Sequence, residues 1–421
     1  MDAFLSRRGF LSTAGLGAAG LSFAADPKVT PPMDLPRELA MTGADLGTLF
    51  PEVQKIANAN SYAYSFLSDR FKDFDEFKKA ARDKIFDVLN YRPEKVDPNP
   101  EVIERVERED HIREKVLFNT TPFLRVPAYV LIPKKLKKPA PAIVDLHSHG
   151  GMFLFGKEKV TDLGNNHPAM ATYHQRNYDG QPTATALVKR GYVVISIDAF
   201  MFGERRVMMD ADQKFGWDRS KYSLEDVTRL NQVCRGKEST ISKALILAGA
   251  SWPGVVFWDD IRTVDYLCTR EEVDPQRIGC LGISMGGYRT IYLAALDERI
   301  KAACITGFMS TVRPMIKAHI DTHSWIHFLP ALHRWFDLPD VASLTAGRAL
   351  MVQQCSQDRL FPIEGMRESL EKIQRAFTKA GFKESFAGRF YDAPHQFTKA
   401  MQDDCFVWLD KQLMPGIRGK P

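Results

Sequence analysis

The segment Gly282-Ile283-Ser284-Met285-Gly286 has the Gly-x-Ser-x-Gly pattern that can hold a serine hydroxyl at the apex of a sharp turn. Residues 277–281 before it have the composition of a buried strand, and residues 288–296 after it, rich in Ala and Leu, favour a helix. A glycine-rich turn with an ordinary surface serine would not require this flanking strand and helix. We therefore predict that Ser284 is a nucleophile at the carboxyl end of a strand.

A serine hydroxyl is a weak nucleophile at neutral pH, so it needs a general base and a group that orients that base. Asp358 lies in a polar loop after the apolar run 349–354, and His395 follows a short aromatic run near residue 390. The chain order Ser, Asp, His is the one this strand-turn-helix arrangement uses. We predict His395 as the base and Asp358 as its orienting acid. Asp392 is the alternative acid, although its place three residues before the histidine favours a loop or capping role.

Acyl transfer also requires hydrogen-bond donors for the negative oxygen that develops on the substrate. One donor should be the backbone amide after the nucleophile, which belongs to Met285. The second should come from the turn after an earlier strand, and the histidine- and glycine-rich turn at 147–151 follows the predicted strand 142–146. We predict the amide of His149 or Gly150 for this role.

His147 and His149 also form a His-x-His pattern, which metal-dependent amidohydrolases carry on the first strand of a barrel. Such a barrel would place further ligands at the ends of later strands. Here two predicted strands, 114–119 and 124–132, come before the pattern, and a later strand carries the serine turn instead of ligands. The metal interpretation is therefore the less favoured alternative, and we expect no metal and no other cofactor.

Two insertions, at about 207–253 and 309–344, are expected to determine specificity. In the second, His319, His323 and His327 recur every fourth residue, a spacing that would put them on one face of a helix. No cysteine or carboxylate accompanies them at ligand spacing. We expect an aromatic lid in which Trp325, His327 and Trp335 contact the substrate.

The chain of 421 residues is 44% hydrophobic and can bury one extended core. Its net charge of +5 is too small a bias to indicate a nucleic-acid partner. The pattern predicts an α/β fold with a mostly parallel central sheet and helices on both faces. Residues 25–109 are predicted as a linker with a helical N-terminal extension, and residues 110–421 as the main domain.

Residues 1–24 carry Arg7-Arg8 before a mild apolar stretch that ends near Ala24. This is typical of a twin-arginine export signal, and the apolar stretch is too short to span a bilayer of about 30 Å. We expect a periplasmic or secreted protein with no stable membrane insertion.

From about residue 110 to 413 the chain resembles the secreted α/β-hydrolase esterases related to acetyl xylan esterases, cephalosporin-C deacetylases and dienelactone hydrolases. The resemblance rests on segments 147–151, 155–159, 198–206 and 272–287 and on the loops of Asp358 and His395. It implies an α/β-hydrolase fold, a triad of Ser284, Asp358 and His395, and an oxyanion hole at Met285 and the His149 region. Cys355 departs from the family, where glycine is common, and so does Gly347, where the family usually has proline.

Joined to the export signal, the resemblance implies an exported serine esterase. Its expected substrates are short-chain, acetyl-type esters, with a carbohydrate or another small molecule as the ester partner. A serine peptidase with the same triad is the alternative, and a metal-dependent amidohydrolase is the less favoured one.

Overall fold

A computed structural model describes residues 42–136, 139–215 and 218–414, and its strands form a nine-stranded sheet in the order β1-β2-β3-β5-β4-β6-β7-β8-β9. The pairs among β1, β2, β3 and β5 are antiparallel, and all pairs from β5 through β4 to β9 are parallel. The bounds are β1 Glu101–Glu107, β2 His111–Thr121, β3 Leu124–Pro133, β4 Ala140–Asp145, β5 Val193–Ile197, β6 Val273–Ile283, β7 Ile300–Thr306, β8 Ala349–Cys355 and β9 Phe386–Tyr391.

Helices cover both faces of this sheet. Parallel strands enclosed in this way are apolar along their whole length, and every residue of β4, β5 and β8 is buried. Side chains alternate between the faces, so Ala142 and Val144 belong to one hydrophobic cluster and Ile143 to the other. The α-helices are α1 Phe50–Asn58, α2 Phe74–Leu89, α3 Pro168–Tyr178, α4 Thr183–Lys189, α5 Leu224–Leu247, α6 Trp252–Leu267, α7 Met285–Leu296, α8 Leu332–Trp335, α9 Leu338–Ala342, α10 Ile363–Lys379 and α11 Lys399–Leu413. The α/β fold predicted from the sequence is confirmed.

The region before residue 110 is not wholly helical. The helical spacing is realised in α1 and α2, which are separated by a non-helical stretch. Asp73 caps α2 by accepting a hydrogen bond from the Glu76 amide at 2.8 Å, and the helix buries Phe77 and Ile85 in the core. Residues 101–107, predicted as part of the extension, form β1 and pair with β2, so the sheet begins earlier than the sequence suggests. The predicted signal at 1–24 lies outside the described residues.

In the described part of the chain, no single helix is long and apolar enough to cross a membrane. Helices α5 and α6, bent by 82° relative to each other, satisfy the length and composition requirement only as a pair.

The parallel strands determine where functional side chains can meet. Strands β4, β6, β7, β8 and β9 run in the same direction, so their carboxyl ends lie at one edge of the sheet. This edge is where open α/β sheets bind their ligands. The turns that follow these strands carry the residues singled out by the sequence.

Candidate active site

Ser284 stands at the turn between β6 and α7 with φ of 60° and ψ of −126°, a conformation that non-glycine residues rarely adopt. The Ser284 amide donates to Thr306 O at 3.0 Å, and its carbonyl accepts from the Tyr288 amide at 2.9 Å. A Cβ at Gly282 or Gly286 would collide with the carbonyl oxygen of Leu146. Both glycines are therefore required by the close approach of the neighbouring chain, and the turn has the geometry of a nucleophile elbow.

Asp358 and His395 meet across the loops that follow β8 and β9. The Nδ1 atom of His395 lies 2.6 Å from Oδ2 of Asp358, and the Leu360 amide donates to the other carboxylate oxygen at 2.9 Å. The Asp358 side chain is almost fully buried, at 1% exposure. A carboxylate that accepts from Nδ1–H leaves Nε2 as the proton acceptor of the ring. Among the described residues, Nε2 of His395 has no hydrogen-bond partner.

Asp392, the alternative acid, is bonded elsewhere than to the Asp358–His395 pair. Its carboxylate accepts from Gln357 Nε2 at 2.8 Å and from Ser356 Oγ at 3.3 Å, so it holds the outer side of the loop that carries Asp358, here called the acid loop. The His395 ring instead lies over the turn after β7, where a Cβ on Gly307 would be 3.4 Å from its Cε1 and Nδ1 atoms. Thr306, which accepts from the Ser284 amide, precedes that glycine, so the serine turn and the histidine loop share β7 as a neighbour.

The turn after β4 lies on the other side of the serine. Its first amide, from Leu146, donates to Leu281 O at 2.9 Å, which fixes the turn beside β6. Gly150 has φ of 54°, and a Cβ there would collide with the Tyr173 ring. Met285 begins α7, and the first amides of a helix have no partner within it. The turn after β4 packs against the start of α7, where the Met285 amide lies, because a Cβ on Gly286 would meet Leu146 O.

Both histidines of this turn are committed to protein partners. His147 is fully buried; its Nε2 accepts from the Ala199 amide at 3.2 Å and its Nδ1 donates to Ser148 O at 3.0 Å. His149 accepts from the Gly151 amide at 3.0 Å and places Nε2 at 2.7 Å from Glu238. Burial lowers the pKa of both rings, so they are neutral at pH 7.

These contacts and the fold contradict the amidohydrolase alternative. An open nine-stranded sheet is not the barrel which that alternative requires. Over residues 42–136, 139–215 and 218–414, no three His, Cys, Asp or Glu side chains form a group that could hold a metal ion.

Two buried basic side chains that the sequence analysis did not select hold the same turn. Lys159 donates from Nζ to Ser148 O at 2.7 Å and to His149 O at 3.0 Å, and burial lowers the pKa of this amine well below its ordinary value. Arg289 on α7 forms a fully buried bidentate ion pair with Asp260 and reaches His147 O at 3.4 Å. The sequence signal for Arg289 was a lone charge inside an otherwise apolar helix.

The insertion at 309–344 does not form the helix that would place His319, His323 and His327 on one face. Residues 319–327 are mostly irregular, with one 3-10 turn at Trp325–His327, so the three histidines do not share a helical face. Trp325 and His327 line a cavity next to the candidate site. Trp335 is not among the cavity residues in the part of the chain that the structure describes, and its ring packs edge-on against Tyr64 at 5.7 Å.

The model of the Abhydrolase family matches residues 50–401. Among curated proteins, "Putative hydrolase YtaP" of Bacillus subtilis (strain 168) is 28% identical over 335 residues, which is 79% of this chain and 98% of that relative.

Two solved structures share the fold at low identity. A "putative acetyl xylan esterase" from Bacteroides fragilis NCTC 9343 has a TM-score of 0.62 at 20% identity and covers 82% of each chain. A glucuronoyl esterase from Solibacter usitatus has a TM-score of 0.54 at 15% identity, over 81% of this chain and 94% of that one. Since the family model spans most of the sequence, the chain belongs to the Abhydrolase family, as a hydrolase with the fold of the α/β-hydrolase esterases.

Proposed function

We propose that this protein is a serine esterase in which Ser284, His395 and Asp358 form the catalytic triad. The observation that carries the proposal is the 2.6 Å contact between His395 Nδ1 and Asp358 Oδ2. This contact leaves Nε2 of His395 as a proton acceptor at the carboxyl edge of the sheet, the edge that also carries the Ser284 turn. The strained elbow at Ser284 and the two neighbouring sets of backbone amides add support.

In the proposed mechanism, His395 Nε2 takes the proton of Ser284 Oγ as Oγ bonds to the ester carbonyl carbon. The amides of Met285 and of His149 or Gly150 stabilise the resulting oxyanion. When the intermediate collapses, the bond to the alkoxide oxygen breaks and His395 gives its proton to the departing alcohol. Water, deprotonated by the same nitrogen, then attacks the acyl-enzyme and releases the acid and the free serine.

The proposed substrates are short-chain, acetyl-type esters of carbohydrates, and the proposed location is the periplasm or the exterior. Support for the substrate comes from the sequence resemblance and from the esterases among the structures with this fold. Support for export comes from the Arg7-Arg8 signal pattern. As in the sequence-based expectation, no metal or cofactor takes part in the proposed reaction.

Replacing the nucleophile tests this function. Ser284→Ala should reduce turnover of ethyl acetate at least about 1,000-fold, because the attacking atom is lost. His395→Ala should cost about as much, and the double variant little more, because the residues act as one unit. Ser61→Ala, which removes an exposed hydroxyl from the segment between α1 and α2, serves as the control and should retain full activity.

Two outcomes would overturn the proposal. One is a folded Ser284→Ala protein that retains a tenth or more of the wild-type rate. The other is turnover of aminoacyl 4-nitroanilides without turnover of any ester, which would replace the esterase with a peptidase of the same triad.

A further inference from the structure

A cavity of about 300 Å³ lies between α7, the end of α5, the start of α6 and the second insertion. Its lining is mostly apolar and rich in rings, with Tyr288, Phe308, His323, Trp325, His327 and Phe328 among the residues that form it. Trp325 and Phe328 are partly exposed, at 41% and 39%, and form an edge-to-face pair with centroids 6.4 Å apart. A cavity of this composition accepts an apolar ligand group, and both ring nitrogens of His327 add polar atoms that have no partner among the described residues.

This cavity shares a wall with the candidate active site. The His327 ring lies 4.6 Å from the Phe308 ring and 5.0 Å from the Tyr288 ring, measured between centroids. Phe308 follows Gly307, on which the His395 ring rests, and the Tyr288 amide donates to the carbonyl of Ser284. Two residues of the cavity lining, Tyr288 and Phe308, therefore belong to the segments that position the nucleophile and the base.

The ring-rich walls distinguish an aryl group from an alkyl chain. Aromatic pairs gain more from edge-to-face and offset contacts than their buried area alone provides. Phe361, three residues after Asp358, extends the same ring cluster, with centroids 5.0 Å from both Phe308 and His323. One aromatic surface is therefore formed by rings from the acid loop, from the turn after β7 and from the second insertion.

We propose that this cavity receives an aryl group carried by the ester substrate, either on its acyl side or on its alcohol side. The inference rests on the proposed esterase function and specifies its substrate. An aryl acyl group would replace the short acyl chain of the proposed substrate, whereas an aryl alcohol would leave the short acyl chain in place.

The wild-type enzyme tests the proposal with two matched pairs of esters. The first pair, methyl 3-phenylpropanoate and methyl acetate, differs on the acyl side. The second pair, benzyl acetate and ethyl acetate, differs on the alcohol side. We expect kcat/KM for the aryl ester to be at least about tenfold higher in one pair, because a filled pocket contributes to transition-state binding. Cyclohexyl analogues of the same size should be several-fold poorer than the preferred aryl ester.

Filling the cavity should abolish this preference. Ser242 is buried on α5 and lines the cavity, and its hydroxyl has no hydrogen-bond partner among the described residues, so Ser242→Phe removes space without removing a bond. We expect at least a tenfold loss of kcat/KM for the aryl ester and less than a twofold change for ethyl acetate. Lys243→Phe, at the exposed neighbouring position, is the control and should alter neither value.

A second pair of variants keeps the test decisive if Ser242→Phe fails to fold. Ile246 lines the cavity and is 49% exposed, so Ile246→Trp should narrow the mouth of the cavity and reduce the aryl preference. Leu247→Trp, at a side chain that is 90% exposed, is the control. Turnover of ethyl acetate with no aryl preference in either pair would overturn the inference and leave the esterase intact. Absence of turnover for every ester would instead overturn the proposed function.

Discussion

Two histidine-bearing segments of this protein lie near the candidate site and differ in how their rings are bound. In the turn after β4, every ring nitrogen of His147 and His149 has a hydrogen-bond partner in the protein. In the second insertion, both ring nitrogens of His327 and the Nε2 atom of His323 are buried without a partner among the described residues. The first pair belongs to the scaffold of the turn, and the second pair lines a cavity.

The difference shows that residue type and spacing do not determine the role of a histidine. Both segments suggested metal ligation from their spacing, yet one holds a backbone turn and the other forms a ring-rich wall. A buried polar atom with a partner stabilises the fold, while one without a partner leaves hydrogen-bonding capacity for a ligand.

Loss of the Lys159 amino group, which holds the first segment, should have the largest effect. Lys159→Met removes one of two donors from Ser148 O and from His149 O, which keep His147 Nδ1 and the Met152 amide, so the turn is held less firmly beside the serine. We expect kcat for ethyl acetate to fall about tenfold to a hundredfold with little change in KM, somewhat less than removal of an oxyanion donor costs. Lys159→Arg should not restore kcat, because a planar guanidinium does not fit a site built for a compact amino group.

Circular dichroism of Lys159→Met confirms that the kinetic comparison is made on folded protein. An unchanged kcat in that folded protein would show that the turn does not depend on Lys159 and would remove the scaffold role from the first segment.

Replacement of one histidine in each segment compares the two directly. His147→Leu leaves the Ala199 amide buried without its acceptor and should lower the free energy of unfolding by about 1–3 kcal/mol. His327→Leu removes a ring whose nitrogens have no partner in the described structure and should cost less than about 1 kcal/mol. Urea unfolding of the two variants measures both values, and equal losses would contradict the distinction.

Acidification should lower the stability of the protein through the buried histidines of both segments. Burial holds the pKa of His147 and His327 well below the ordinary value, while the unfolded chain titrates near pH 6.5. The unfolded state therefore binds more protons below about pH 6.5, so stability is full above that pH and falls as the pH decreases. Between pH 6.5 and 5.5, wild type should lose about 1 kcal/mol more than His327→Leu. Parallel stability curves over this interval would show that His327 is protonated in the folded protein.

The local patterns of the sequence predicted the elements that carry the site. The strand before Ser284 and the helix after it are present, because each depends on residue periodicity over a short stretch. The contact between Asp358 and His395 agrees with the predicted pairing, since both residues follow parallel strands that end at one edge.

Interactions between distant segments could not be read in the same way. The ion pair of Arg289 with Asp260 and the reach of Lys159 to Ser148 O join residues that only the folded chain brings together. Residues 101–107 are mostly exposed and charged, and their pairing with β2 rests on backbone hydrogen bonds rather than on an apolar pattern. The aromatic segment predicts Trp335 at the substrate, and the sequence alone does not show that its ring packs against Tyr64, far away in the chain.

The central claim is that Ser284 is a nucleophile activated by His395. Its most direct test is labelling with a fluorophosphonate probe, followed by mass spectrometry of the modified peptide. The account predicts a single adduct per chain on Ser284, none on Ser284→Ala, and labelling of His395→Ala at least about a hundredfold slower because the base is missing. An adduct on another residue, or an equal labelling rate for wild type and His395→Ala, would contradict it.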